Sequence, residues 1–449
     1  MLSIILAALA FLSLGLLLWQ FVAAQRFPLH QRVADPGFAP PVTVLKPLKG
    51  VDAETWHCLE SWLNQDYPGP VRVLFGVDSA DDPAFEMARQ LIASHPERDG
   101  RLVVCPESLG ANAKVSTLIQ LLDHAVDEPA PGPSREGNGL RERARQLPFL
   151  GGVGGELTRS SKPTSTQRAL GPGEVVMVSD ADVHASPDLL GNVVAPLRDD
   201  QVGLVCCCYR LANPGTLAMQ WEAIAINADF WSQVLQAQTL QPLGFALGAV
   251  MAMPRTRLES VGGFESVADF LADDYRLGNL VARQRGRIVL ANAVVDCREA
   301  AKSWREVWRH QLRWARTIRV CQPLPYFLSI LGNATLWPLL WLIATFPASC
   351  AVSYTTTVGG VTTSVVVHVQ ALPKALPFAL AIWLARVLAA MLLQWRLTRS
   401  HSHWAFFWLV PVKDLLAAAV WALSFLGNTV EWRGQRYRIR RGGRLEKVS

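Results

Sequence analysis

The sequence predicts an α/β fold, a mostly parallel sheet flanked by helices, with transmembrane and interfacial helices at both ends. Three observations carry this. Apolar β-branched runs alternate with segments of helical spacing in the first half of the chain, long uncharged stretches stand near both ends, and acidic residues follow the predicted strands where such sheets hold ligands. The 449 residues, half of them hydrophobic, suffice for a large core. A mean hydropathy of +0.19 with 18% charged residues argues against a purely soluble enzyme. Net charge is +6, but Lys and Arg sit beside the apolar blocks rather than in one tract, which suits anionic lipid headgroups and speaks against a nucleic-acid partner. The eight cysteines follow no metal-ligand spacing, and the run Cys206 to Cys208 reads as buried thiols in a reducing compartment.

Taken in order, Leu2 to Ala24 is 23 residues without a charge, long enough to cross a bilayer, and lacks the basic start of a cleaved signal peptide. Residues 1–25 are therefore expected to be a retained anchor. Arg26, His30 and Arg32 follow at once and place the next segment in the cytoplasm. Strands are expected at Val42 to Leu45, Val71 to Val77, Leu102 to Cys105 and Val175 to Val178, with helices such as Phe85 to Ala93 and Val115 to Ala125 between them. This βαβ order defines a catalytic domain over 40–300, interrupted at 128–174 by an insertion rich in Pro, Gly, Ser and Arg that is too polar to form a core. No glycine-rich dinucleotide or P-loop motif opens any helix, which disfavours a dehydrogenase and an NTPase.

An amphipathic interfacial helix is expected over 301–322, where Arg305, Arg309, Arg313 and Arg316 share one face and Trp304, Trp308, Leu312 and Ala315 the next. It reads either as a lipid anchor alone or as a diphosphate clamp as well. Over 323–428 three apolar segments are long enough to span: Tyr326 to Ala348, Leu372 to Trp395 and Trp404 to Leu426. A full crossing by the last would export the tail 429–449, in which Trp432 to Lys447 carries seven Lys or Arg. Because Pro411, Lys413 and Asp414 interrupt that segment, it is expected to lie along or only partly enter the cytoplasmic face. The localisation that results is a multi-pass inner-membrane protein with a cytoplasmic catalytic domain.

Chemistry concentrates in carboxylates. Asp180-Ala181-Asp182 closes a buried strand, and acids at i and i+2 either share a divalent cation, Mg or Mn, with diphosphate oxygens or form a solvated Asx-turn. Asp82 is either the N-cap of the helix starting at Pro83 or a ligand-binding group. Of Asp273 and Asp274, one can act as a base if it faces the same crevice.

In order along the chain, Leu45-Lys46-Pro47-Leu48-Lys49-Gly50-Val51-Asp52, Asp81-Asp82-Pro83-Ala84, Gly110-Ala111-Asn112-Ala113-Lys114-Val115, Ala272-Asp273-Asp274-Tyr275 and Trp432-Arg433-Gly434-Gln435-Arg436-Tyr437-Arg438 resemble the ceramide glucosyltransferase family, membrane enzymes with the GT-A fold. The resemblance covers most of the chain apart from the insertion. It implies that Asp82 holds the uridine part of a UDP-sugar, that Asp180 and Asp182 hold the metal and diphosphate, and that Asp274 is the catalytic base. Lys114 falls in the third of these motifs and is taken as substrate-binding. Arg313 and Trp314 match the end of the family's Gln/Arg-x-x-Arg-Trp motif, whose first position is here His310. Within the family, the stretches Ala272 to Gly278 and His310 to Thr317 look most like the bacterial hopanoid-biosynthesis-associated glycosyltransferases. The implied activity is inverting transfer of a hexose from a UDP-sugar to a lipid hydroxyl. A processive polysaccharide synthase is the nearest alternative and a non-enzymatic membrane scaffold the next; oligomeric state has no signature in the sequence.

Overall fold

The computed structural model describes residues 1–127, 173–346, 350–358, 361–369, 372–432 and 435–448, so the expected insertion lies almost entirely outside the described residues. Eight strands form the central sheet: β1 (Val42–Pro47), β2 (Val71–Val77), β3 (Asp99–Val104), β4 (Val175–Ser179), β5 (Val183–His184), β6 (Val202–Leu211), β7 (Val250–Pro254) and β8 (Arg287–Cys297), in the spatial order β3-β2-β1-β4-β7-β6-β8-β5. β1, β2, β3 and β4 are mutually parallel, as βαβ order requires, and β6 runs parallel to β8. β7 runs antiparallel to both β4 and β6, and β5 antiparallel to β8.

α1 (Leu2–Arg26) packs against helices later in the chain, whereas the first half of the sheet carries α2 (Thr55–Leu63), α3 (Pro83–Ala93) and α4 (Ala113–Asp127). The second half carries α5 (Leu189–Val194), α6 (Leu217–Ile224), a π-helical turn over Ala225–Phe230, α7 (Trp231–Gln238), α8 (Arg255–Ser260) and α9 (Asp273–Arg283). One core cluster joins the sheet face carrying Leu45, Leu74, Val178 and Cys206 to α4, α6 and α7; a second lies on the opposite face around Val44, Phe75, Met177 and Cys207. The alternation of Cys206 and Cys207 between the two follows from the period-2 geometry of a strand, and all three thiols of the run are buried and free.

α10 (Trp304–Cys321) opens with a capping box between Ser303 and Glu306. The segment expected as one span after it is divided into α11 (Pro323–Leu328) and α12 (Leu336–Thr345), bent by 54° at a break. Asn333 makes the break: its side-chain oxygen accepts from Thr335 N and Leu336 N, which restarts a helix at a new angle. Strands β9 (Cys350–Val358) and β10 (Val361–Val369) form a separate hairpin. α1 and α13 (Leu376–Thr398) are long and apolar enough to cross a membrane; α14 (Leu409–Ser424) has 16 residues.

α14 places Lys413 and Asp414 in a buried ionic cluster rather than at a surface. Arg386 of α13 makes paired hydrogen bonds to Asp229 in the π-helical turn, 3.0 and 2.9 Å, and to Asp414, 2.8 and 2.7 Å. Lys413 donates to Asp229, and Thr335 Oγ1 donates to Asp414 at 2.6 Å. Two acids and two bases thus neutralise each other where α13, α14 and the catalytic domain meet. The chain ends in a small antiparallel sheet of β11 (Thr429–Trp432), β12 (Gln435–Ile439) and β13 (Leu445–Lys447).

Candidate active site

The site forms where β4 ends and β7 begins. Ser179 pairs with Val250, and Asp180 N donates to Ala249 O at 3.3 Å, so the backbone just before β7 lies beside Asp180. Next to it is Gly248. A Cβ on Gly248 would lie 2.7 Å from Asp274 Oδ2, so only glycine lets the Asp274 carboxylate, from the first turn of α9, seat there. Two acids distant in sequence are thereby brought to one mouth of the sheet.

Lys114, at the second position of α4, links them. Its Nζ stands 2.6 Å from Asp180 Oδ1 and 3.5 Å from Asp273 Oδ2. Burial alone would depress the Lys114 ammonium; the Asp180 and Asp273 carboxylates outweigh it and hold its pKa above the usual lysine value. Behind the acids, fully buried Lys46 donates to Ser179 Oγ at 3.2 Å and to the Asp180 carbonyl, and lies over the Trp62 ring. Burial lowers its pKa to about 8.

Negative charge is nevertheless in excess. Burial, then the neighbouring Asp273 carboxylate, raises Asp274 to about 7, although Lys114 and the Tyr275 N–H pull the other way. Burial, then Asp180 and Glu299, likewise raises Asp182 to about 7. Such values suit proton transfer near neutrality and mark a place that favours an added cation.

α10 supplies the opposite wall, and its arginines divide. Arg305 and Arg309 are exposed, whereas Arg316 and Arg319 donate to the backbone at Thr429 and Gly427. Arg313 turns inward. Its guanidinium makes no hydrogen bond or ion pair among the described residues, and its electrostatic neighbours are Glu222, Glu299 and Asp180, which oppose the lowering of its pKa by burial. The four-arginine face expected to meet lipid is therefore split between solvent, protein backbone and the site. Trp314 packs against Tyr209 and Phe230, with ring centroids 6.4 and 5.7 Å away. His310 Nδ1 is 2.6 Å from Glu222 Oε1, which also accepts from Gln311 at 2.9 Å, and its ring meets Trp314 edge-on at 4.9 Å.

Asp82 stands apart. It N-caps α3, accepting from Ala84 N at 2.9 Å, and also accepts from Gly50 N at 2.9 and 3.1 Å. Capping and loop anchoring thus coexist in one carboxylate beyond β2, two strands from Asp180. At the usual spacing between neighbouring strands this is about 10 Å, the scale of a nucleotide rather than of a shared metal ion.

Three residues were given no role from the sequence: Lys46, Glu222 and Tyr209, whose hydroxyl feels the Asp274, Asp180 and Asp182 carboxylates; Asp273, named with Asp274 as a possible base, instead bridges to Lys114. Glu222 carried a signal, a charge on an otherwise apolar helical face, and Lys46 lies within the first family-like motif; Tyr209 carried none.

For a divalent metal, the chemistry of the donor set fits. Asp180 and Asp182 offer hard oxygen ligands, and the burial and, after it, the Asp180 charge that raise the pKa of Asp182 are both penalties that a cation would relieve. Among the described residues no group of three or more His, Cys, Asp or Glu is placed to hold a metal, so a cation held by these two acids would need further ligands from substrate or water.

Comparison with known proteins gives the family. Regions of a ceramide glucosyltransferase from Komagataella phaffii are 34% identical over 104 residues, 22% of this chain and 20% of that protein. Ceramide glucosyltransferase 1 of Caenorhabditis elegans is 32% identical over 93 residues, 21% of this chain and 20% of its own length. The chain thus matches only about a fifth of these relatives. Among solved structures, a mannosyltransferase from Pyrobaculum calidifontis in complex with GDP-Man and Mn2+ covers 93% of this chain and 98% of its own, at 20% identity and a TM-score of 0.47. The model of glycosyl transferase family 21 matches residues 3–128, 168–358 and 341–445, which is most of the sequence, and the chain belongs to that family.

Proposed function

We propose that this protein is a membrane-bound, inverting hexosyltransferase that moves a hexose from a UDP-sugar to the hydroxyl of a lipid, with N-acetylglucosamine transfer to a hopanoid polyol as the finer reading. The observation that carries it is the meeting of Asp180, Asp273 and Asp274 on Lys114, opposite the unpaired guanidinium of Arg313. Two long apolar helices, α1 and α13, support a lipid acceptor, and the basic residues after α1 support a multi-pass inner-membrane protein with its site on the cytoplasmic side.

In this reading Asp82 and the Lys49-Gly50 loop receive the uridine end of the donor, two strands from the diphosphate. The acceptor hydroxyl approaches along the wall of His310 and Trp314 and gives its proton to a carboxylate oxygen of Asp274, whose raised pKa matches that task. Its oxygen attacks the anomeric carbon as the bond to the UDP oxygen breaks on the opposite face, and one displacement inverts the anomeric centre. Arg313 and Lys114 bear on the charge that develops on the diphosphate. Asp180 and Asp182 would hold a divalent metal, Mg or Mn, which when bound would supply further positive charge near the diphosphate.

Lipid mass spectrometry of a host expressing the chain, with ceramide and hopanoid acceptors each supplied, tests the reading. A new hexosyl or N-acetylhexosaminyl lipid that disappears in Asp274→Asn, while UDP-sugar binding persists, is the expected result. Product formation undiminished in that variant removes Asp274 from the chemistry.

A further inference from the structure

The loop that delivers Asp273 and Asp274 to the site is short, and most of its backbone contacts outside the loop are made by two segments remote from it in sequence. Leu271 N donates to Gly443 O at 3.1 Å, and Leu445 N donates to Asp269 O at 2.7 Å. Phe270 and Arg444 form an antiparallel bridge. Leu271 is buried with Val430, Tyr437, Ile439 and Leu445 in a cluster of its own, separate from the two faces of the central sheet. The terminal three-stranded sheet thus grips the loop through one apolar face and a row of backbone hydrogen bonds.

On its other side the same loop holds the start of α4. Asn112 N donates to Ala268 O at 2.8 Å, Asn112 Nδ2 donates to Phe270 O at 2.7 Å, and Ala111 N donates to Asp269 Oδ1 at 3.1 Å. A Cβ on Gly110 would lie 2.5 Å from Ala268 O, so the two backbones are in direct contact. Lys114 stands one turn beyond. Asp269 is where the two sides join: Oδ1 accepts from Ala111, Oδ2 pairs with Arg444 at 2.9 Å, and its carbonyl accepts from Leu445. The terminal sheet is fixed in turn to α10, since Arg316 and Arg319 donate to the backbone at Thr429 and Gly427.

We propose that Asp269, clamped by the terminal sheet through Arg444 and Leu445, is a positioning residue that sets the distance between Asp273 and Asp274 on one element and Lys114 on another. It touches no reacting atom. The loop before α9 and the helix α10 meet this sheet directly, and α4 reaches it through Asp269, so the geometry among their charged groups depends on the terminal sheet. The function assumed is the one proposed above, and the test separates the two.

Steady-state kinetics on the full chain in vesicles of its host's lipids, with donor and acceptor varied separately, reads the effect. Asp269→Ala is expected to lower kcat about 10- to 100-fold with donor KM within about twofold, as for a misplacement of catalytic groups by about 1 Å. Asp269→Asn keeps an oxygen for Ala111 N and should recover most of that loss. Arg444→Ala, which removes only an exposed partner, should cost a few-fold. Equal loss in Asn and Ala, a kcat within twofold of the parent, or a fall in kcat fully accounted for by the folded fraction overturns the proposal. If Asp274→Asn keeps full turnover, the assignment of Asp274 fails instead, and Asp269→Ala then reports on whichever group does the chemistry.

Discussion

Two groups of buried charges lie in this molecule and are built in opposite ways. At the membrane-side junction, Asp229, Arg386, Lys413 and Asp414 balance, and nearly every oxygen and nitrogen among them has a partner. At the sheet mouth, Asp180, Asp182, Asp273 and Asp274 outnumber Lys114 and Lys46, two carboxyls are pushed up to about 7, and Arg313 has no partner among the described residues. Burial of charge alone therefore does not mark a functional place. The mark is an imbalance that only a ligand can relieve, whereas a balanced cluster acts as a joint between elements.

The sharpest way to break this contrast is to neutralise one charged residue in each cluster. Asp274→Asn should lower turnover by about a thousandfold or more while the protein stays folded, on the scale of removing a general base together with its charge. Arg386→Met should do the reverse, destabilising by about 3–5 kcal/mol because Asp229 and Asp414 are left with too little positive charge, with the catalytic constants of the surviving folded fraction little changed. Thermal unfolding and single-turnover rates on the same preparations decide between the two patterns.

Acidity sharpens it further. A carboxyl raised to about 7 in the folded state and near 3.8 in the unfolded one adds nothing to the dependence below pH 3.8; between pH 4 and 7 the unfolded state loses its proton first and stability falls. Asp274→Asn should therefore be more stable than the parent above pH 7, with Tm higher by about 2 °C or more, and the advantage should vanish near pH 4. Turnover should rise with pH through about 7 in the parent.

Smaller effects test the edges of the site. Glu222→Gln weakens the hold on His310 and should raise acceptor KM about tenfold with donor KM unchanged, as measured by varying each substrate in turn. Asp82→Ala should cost about 1 kcal/mol of stability through the lost cap, together with a rise in donor KM of a few-fold; an unaltered donor KM would leave Asp82 a structural residue.

The parallel half of the sheet was legible because β1, β2 and β4 are buried apolar runs and the end of β3 is apolar, and Asp180 and Asp182 stood out because they close such a run. β7 was not legible: five residues with no periodic partner nearby become a strand only by pairing with β4 and β6. The same long-range pairing brings Gly248 to Asp274, so their proximity has no local signal. Arg316 and Arg319 looked like Arg305 in sequence, and only the terminal sheet distinguishes them by offering carbonyl oxygens. The break at Asn333 was hidden inside an apolar run because one amide side chain suffices to cap a new helix.

The seat of Asp274 against Gly248 also limits the routes by which the protein can change. A Cβ at 248 would come within 2.7 Å of Asp274 Oδ2, 3.1 Å of its Cγ and 3.2 Å of its Cβ, so a side chain there would displace the acid from its place. Of the exchanges at 274 only the isosteric asparagine keeps the shape, and it removes the charge, so changes that keep the acid have to fall on the surrounding walls while Gly248 stays as it is.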